Sequence, residues 1–244
     1  MAREKEKEKK EDLLKTYKNV FDEGTMNSLW YLITHRKIEG LESPIKLGKE
    51  SNVFSALTKE RKRLAVKIYR ILSSDFFTMS RYLGMDIRFR KPERKKQVVL
   101  TWAKREYSNL LRAYKSSVAV PMPIAIRENI VIMEFLGNQT GIPGSFPLMK
   151  DAVDDENAGR VYARFIEEVR KLYKSAGLVH GDLSEFNVLM DGEKPILIDL
   201  SHGITVLAPA APELLDRDVD NIVRFFKKKG LKLEREEVKR YIKS

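Results

Sequence analysis

The run HGDLSEFNVLMDGEKPILID, residues 180–199, sets a histidine, three aspartates and an asparagine between apolar stretches. Asp182 and Asn187 stand in the order His-x-Asp-Leu-x-x-x-Asn. In phosphoryl-transfer loops of that order the aspartate orients or deprotonates the attacking hydroxyl and the asparagine ligates magnesium. Asp199 ends the next apolar run, and Asp191-Gly192 between them is a hairpin signal because both residues tolerate positive φ. The hairpin converges Asn187 and Asp199 on one point, where Mg2+ would take their oxygens together with water and phosphate. The blander reading, in which Asp182 caps a turn and Asn187 satisfies backbone groups, leaves both the spacing and the order unexplained.

Phosphoryl transfer also needs a cation on the phosphates. Lys67 lies in LAVKIY, an apolar strand like the Val-Ala-Ile-Lys strand of protein kinases. Trp102, Glu106, Leu110 and Ala113 recur at helical steps, which puts the Glu106 carboxylate on an apolar face. A charge there is costly unless paired, and Lys67 is the partner for a lysine–glutamate clamp. Ahead of Lys67, GKESNVF keeps Gly48 but has Ser51 where the last glycine of a kinase phosphate loop would stand. The backbone amides of Lys49, Glu50, Ser51, Asn52 and Val53 are therefore the candidate phosphate cradle.

These residues need elements to hold them. Residues 1–12 alternate lysine, arginine and glutamate without apolar periodicity, so a frayed or disordered start is expected. Met26, Leu29, Trp30, Leu32 and Ile33 predict a helix over 25–38, stopped by Gly40. Two β-rich runs, 45–57 and 64–69, read as a hairpin. Residues 73–96 read as irregular and cationic; from Arg81 to Lys96 there are seven arginines and lysines against two acids. A helix over 101–115 and strands at 125–127 and 130–135 follow. After the Gly/Pro-rich segment 137–147 the pattern turns helical, with Val161, Phe165, Val169 and Leu172 on one face and Gly177 as C-cap. Val219, Ile222, Val223 and Phe226 mark a last helix, in which Asp218 either hydrogen-bonds the backbone of the 180–187 loop or simply sits near a helix N-terminus.

Composition narrows the classes. No apolar run approaches the ~18 residues that span a bilayer. There is no cysteine, and the start lacks the apolar core of a secretory signal, so a cytoplasmic location and no membrane partner are expected. The only histidines, His35, His180 and His202, show no short ligand spacing, which argues against zinc. A net charge of +11 favours polyanionic partners.

Taken together, GKESNVF, AVKIY, DIRFR, WAKREYSNLLRA, VIMEFLG, LVHGDLSEFNVL, IDLSHG and RDVDNIVRFF resemble the RIO family of atypical serine kinases, from about Gly48 to Phe226. The leading helix and LSEFN resemble its type-one branch. The resemblance implies an α+β, two-lobed, truncated protein-kinase-like fold. Its expected parts are a helical extension over 1–44, a β-rich N-lobe over 45–136, a hinge over 137–147 and a mostly helical C-lobe over 148–244. It further implies that Asp182 is the catalytic aspartate, that Asn187 and Asp199 bind metal, and that Lys67 grips phosphate. Met133 would be the gatekeeper, with backbone groups of Glu134 and Leu136 reading adenine. ATP with Mg2+, or Mn2+, is the implied cofactor. Implied partners are maturing small ribosomal subunits, their rRNA and a protein substrate. The family also implies that Asp199 can itself attack phosphorus and form an acyl-phosphate. Asp-Leu-Ser at 199–201 replaces Asp-Phe-Gly, and Ala-Pro-Glu at 211–213 is too near Asp199 to close an activation loop. Two alternatives stay open: a small-molecule phosphotransferase of the aminoglycoside or choline kinase kind, and an ATPase switch without a protein substrate.

Overall fold

The computed structural model describes residues 21–71, 76–90 and 92–244; the charged start at 1–12 lies outside them. Five antiparallel strands form one sheet in the order β1-β2-β3-β5-β4. They are β1 (Gly40–Leu47), β2 (Ser51–Leu57), β3 (Arg63–Tyr69), β4 (Pro123–Arg127) and β5 (Ile130–Glu134). Every residue of β3 is buried, so both faces of the sheet are covered. Because strand side chains alternate, Leu64, Val66 and Ile68 take one face while Ala65, Lys67 and Tyr69 take the other.

Helix α1 (Glu23–Thr34) covers the first face, where Met26, Leu29 and Leu32 share a core with Phe54, Val66, Ile68 and Ile132. Asp22 caps it, accepting from the Thr25 N–H at 3.1 Å. Asn129 fastens it to the sheet by donating to Thr25 Oγ1 at 2.8 Å and to the Tyr69 carbonyl at 2.7 Å. The second face is covered by α2 (Phe76–Met85) and α3 (Lys95–Lys115), whose Met79, Leu83, Val98, Val99, Trp102 and Leu110 join Ala65, Tyr69, Val131 and Met133.

The remainder is mainly helical. It contains α4 (Met149–Ala152), α5 (Ala158–Lys174), α6 (Ala211–Lys228) and α7 (Arg235–Lys243). Two small sheets pair β6 (Leu178–Val179) with β9 (Ile204–Thr205), and β7 (Val188–Asp191) with β8 (Lys194–Leu197). Val161, Phe165, Val169 and Leu172 of α5 pack with Val219, Ile222 and Phe226 of α6, the faces anticipated from their spacing. Gly177 does take positive φ, +60°, and Gly192 turns β7 into β8 at φ +59°.

Five expectations need correction. The first helix ends at Thr34, because Arg36 adopts φ 57° and leads Ile38 into the α1 core and then into β1. The run 45–57 is two strands rather than one, turned at Gly48, where a Cβ would lie 2.9 Å from the Ser51 carbonyl oxygen. The expected edge of the helical extension, between residues 44 and 45, thus falls inside β1, and Pro44 is tolerated there because β1 is an edge strand. Residues 73–96 are not wholly irregular: α2 forms within them, burying Met79 and Leu83, and α3 starts at Lys95 rather than Thr101 because Val98 and Val99 extend its apolar face.

Candidate active site

A cleft of about 630 Å³ opens between the sheet and the helical half. Gly48, Lys49, Glu50, Ser51 and Val53 line one side, and Met133, Glu134 and Leu136 line its back. Lys67, Glu106, Asn187 and Asp199 complete it. Two sequence candidates do not line it. Asn52 is buried on the strand parity of Phe54 and Ala56, the α1 face, because successive strand residues alternate. Asp182 is exposed at the cleft's outer margin, tied to it through Asn187.

Strand alternation points Lys67 at α3, and α3 presents Glu106 to it. Lys67 Nζ donates to Glu106 Oε1 at 2.7 Å and to Asp199 Oδ1 at 2.8 Å, so the pairing inferred from the apolar face is present. Tyr69, two residues along the same face, donates its hydroxyl to Glu106 Oε2. Burial opposes charge on all of these groups, and the outcomes differ. At Glu106 burial wins over Lys67 and raises the carboxyl above its ordinary range. At Asp199 burial is outweighed by the charge of Lys67 and by hydrogen bonds from Lys67 and Ser201, and the carboxyl is held well below its ordinary range. At Lys67 burial is overcome by Asp199 and Glu106, so the ammonium is held firmly charged. Buried salt bridges of this kind add little net stability, but losing one partner leaves an uncompensated charge.

Asp199 sits at φ 61°, ψ 60°, a left-handed conformation that costs a non-glycine residue about 1–2 kcal/mol. Its Oδ1 accepts from both Lys67 and Ser201 Oγ, the latter at 2.7 Å, and its side chain is still 37% exposed to the cleft. Asn187 donates through Nδ2 to the Asp182 carbonyl at 2.7 Å and to Asp182 Oδ2 at 3.0 Å. That engagement leaves the Asn187 amide oxygen as its group for a cation. An ionised carboxylate and an amide oxygen suit a hard, oxygen-seeking divalent cation such as Mg2+ that completes its shell with phosphate and water. Among the described residues no cluster of three or more His, Cys, Asp or Glu could hold a metal by itself.

The loop carrying Asp182 is held from below. Asp218 on α6 accepts the N–H groups of Gly181 at 2.8 Å and Leu183 at 2.9 Å, which resolves its reading in favour of the loop. Gly181 allows the turn at φ +78°, and a Cβ there would lie 2.8 Å from the His202 carbonyl oxygen. His180 is buried and joins the Ile198 carbonyl through Nε2 at 3.1 Å, a structural placement. Sequence reasoning missed Tyr69, Ser201, Arg105 and Asn109. Arg105 and Asn109 are completely buried and reach the turn after Asp199. The available signal was their four-residue spacing on either side of Glu106, on a helix whose neighbouring face is core.

Among the described residues no helix is long and apolar enough to cross a membrane. Residues 52–240 match the RIO domain family. The RIO-type serine/threonine-protein kinase Rio1 of Haloferax volcanii is 40% identical over 220 residues, which cover 90% of this chain and 74% of the relative. The Rio1 kinase of Methanocaldococcus jannaschii is 37% identical over 98% of this chain and 80% of its own length. In fold, the chain is similar to the Rio2 kinase of Chaetomium thermophilum solved as an ADP/Mg2+-phosphoaspartate complex, with TM-score 0.66 at 23% identity. That match covers 88% of this chain and 65% of the solved one, so the chain spans about two thirds of that structure's length. The two-lobed, kinase-like fold and the type-one character anticipated from the motifs agree with these relatives, and the small-molecule phosphotransferase alternative falls away. The chain belongs to the RIO family of serine/threonine-protein kinases.

Proposed function

We propose that this chain binds ATP with Mg2+ in the cleft and passes the γ-phosphoryl group either to a protein serine or threonine or, by way of Asp199, to water. The observation that carries the reading is Lys67 held at once by Glu106 and Asp199, which sets a firmly charged ammonium beside the candidate metal oxygens. At the back of the cleft the Glu134 N–H is engaged by the Met122 carbonyl at 2.9 Å, and the Leu136 carbonyl accepts from the Phe146 N–H at 2.9 Å. The Leu136 N–H meets no acceptor among the described residues and is the donor offered to an adenine edge, with Met133 behind it. The part from β1, starting at Gly40, through residue 136 and the 148–244 part then act as the two lobes and 137–147 as the hinge. Asp182, exposed and oriented by Asn187, takes or aligns the proton of the acceptor hydroxyl. Asn187 and Asp199 would hold Mg2+, or Mn2+, which neutralises phosphate charge when bound.

A second reading has its own observation. Helix α6 begins at Ala211, so residues 200–210 are all that separate Asp199 from it, and Ala-Pro-Glu opens that helix instead of closing an activation loop. With so little chain to dock a peptide, the acceptor in easiest reach is Asp199 or water. An oxygen of the Asp199 carboxylate attacks the γ-phosphorus, the bond to ADP breaks, and water then cleaves the acyl-phosphate to carboxylate and inorganic phosphate. The phosphoaspartate of the Chaetomium relative supports this route. A cytoplasmic setting with a maturing small ribosomal subunit as partner is supported by the family resemblance and suits the +11 charge.

The fate of γ-labelled ATP tests both routes. Acid-stable label on serine supports the kinase route; hydroxylamine-labile label on Asp199 with accumulating free phosphate supports the switch. ATP left intact in the presence of Mg2+ and protein acceptors would sink both.

A further inference from the structure

Asp199 takes a left-handed backbone, which aspartate visits more readily than most non-glycine residues and which the chain after it holds in place. The chain immediately after it is a single 3-10 turn, Leu200–His202, whose carbonyls point at α3. Asn109 Nδ2 donates at 2.8 Å to both the Leu200 and the Gly203 carbonyl. Arg105 donates through Nε to the Gly203 carbonyl at 3.1 Å and through Nη2 to the His202 carbonyl at 3.0 Å. Both side chains are 0% exposed, and Asp86, itself buried, faces the Arg105 guanidinium at 3.7 Å. The fit is close: a Cβ on Gly203 would lie 2.9 Å from Asn109 Nδ2.

The same helix carries Glu106, which reaches Asp199 from the other side through Lys67. Glu106 and Lys67 act on the carboxylate, while Arg105 and Asn109 act on the backbone that carries it. We propose that Arg105 and Asn109 are positioning residues: they staple the 200–203 turn to α3 and so fix the Asp199 carboxylate where a divalent cation must meet it. The inference rests on the reading of Asp199 as a metal ligand, and it concerns residues that touch neither metal nor nucleotide.

The test measures binding of a fluorescent ADP analogue to the full chain, with Mg2+ titrated and with Mg2+ removed by chelation, for wild type, Arg105→Met, Arg105→Lys and Asn109→Ala. Melting curves define the folded fraction. Residues behind metal ligands typically change metal affinity or activity by about 10–100-fold. The expected result is a Mg2+ half-saturation raised about tenfold or more in Arg105→Met and Asn109→Ala, an intermediate value for Arg105→Lys, and metal-free nucleotide affinity unchanged. Gly203→Ala approaches the staple from the turn and covers the case in which Arg105→Met does not fold. It should raise the Mg2+ requirement alone and add less than that on top of Asn109→Ala, which removes the 2.9 Å contact but leaves the Leu200 carbonyl oxygen 3.1 Å from the added methyl group. Folded variants with wild-type Mg2+ half-saturation, or with affinity lost equally in the presence and absence of metal, overturn the inference alone. Wild-type affinity that ignores Mg2+ overturns the metal assignment of Asp199 and this inference with it.

Discussion

Lys67 Nζ lies 2.8 Å from Asp199 Oδ1, joining the centre of the sheet to the end of the β7–β8 hairpin across 132 residues of chain. The contact lets one ammonium serve two carboxylates, because Glu106 holds it from the opposite side at 2.7 Å. A lysine so held cannot swing to solvent, and its charge faces the cleft.

The three groups should therefore behave as one unit. Lys67→Ala and Glu106→Gln are each expected to weaken Mg–ATP binding, and the double variant to be little worse than the poorer single. A coupling of about 0.5–3 kcal/mol is the expected departure from additivity. Isothermal titration of the four proteins measures it; losses that simply add would mean the clamp does not act as a pair.

Asp218 supports a prediction about the loop rather than the cleft. Its carboxylate satisfies two buried N–H groups, and an aspartate so buried has its carboxyl raised by desolvation, an effect opposed by His180 and by those same hydrogen bonds. Asp218→Ala leaves the Gly181 and Leu183 donors unpartnered, at a cost of about 1–3 kcal/mol. Urea unfolding should show that loss. Turnover should fall more than ATP affinity, since the loop holds Asp182 and not the nucleotide.

The pH dependence follows from Asp199. Its folded carboxyl lies below the ordinary 3.8, so the stability it contributes is present above that value and is lost as pH falls through the folded value. The difference in urea midpoint between wild type and Asp199→Asn should be largest at about pH 6 and should shrink by about pH 3. Glu106 works in the opposite sense, its raised carboxyl favouring the folded state as pH falls, so the comparison must be made against Asp199→Asn and not against wild type alone. A difference that stays constant with pH would contradict the ionised Lys67–Asp199 contact.

Much of this site was legible in the sequence because its cost was legible. A glutamate among Trp102, Leu110 and Ala113 demands a buried cation, and Lys67 sits on a strand whose alternation can supply it. The catalytic-loop order likewise fixed which residues share the β7–β8 hairpin. Arg105 and Asn109 escaped notice because polar residues on a helix read as solvent-facing unless the turn they serve is known. Strand β1 escaped for the converse reason: it is a mostly exposed edge, so it lacks the apolar alternation that marks an inner strand. Helix α2 was hidden by its charged surroundings, although Met79 and Leu83 are four apart.

The basic segment gives a prediction that the structure sharpens. Arg88 is occupied within the chain, donating to Asp86 at 2.9 Å and 2.6 Å, whereas Arg90, Arg94 and Lys95 are exposed. If pre-ribosomal particles bind through phosphate contacts, reversing Arg90, Arg94 and Lys95 to glutamate should weaken binding and flatten its salt dependence. Reversing Arg88 should instead lower the melting temperature. Sedimentation binding at two salt concentrations checks the first part; affinity indifferent to both salt and charge reversal would remove this segment from the interface.

The measurement closest to the central claim is single-turnover consumption of γ-labelled ATP by Asp182→Ala, with Mg–ATP affinity measured on the same preparation. Asp182 does not line the proposed nucleotide cleft and, among the described residues, is tied to it through Asn187, so affinity should stay within a few-fold of wild type. A positioned acid–base group contributes roughly 10²–10⁴-fold, and transfer to an added serine acceptor should fall by about that factor. Wild-type transfer by Asp182→Ala at saturating ATP and Mg2+ would contradict the account.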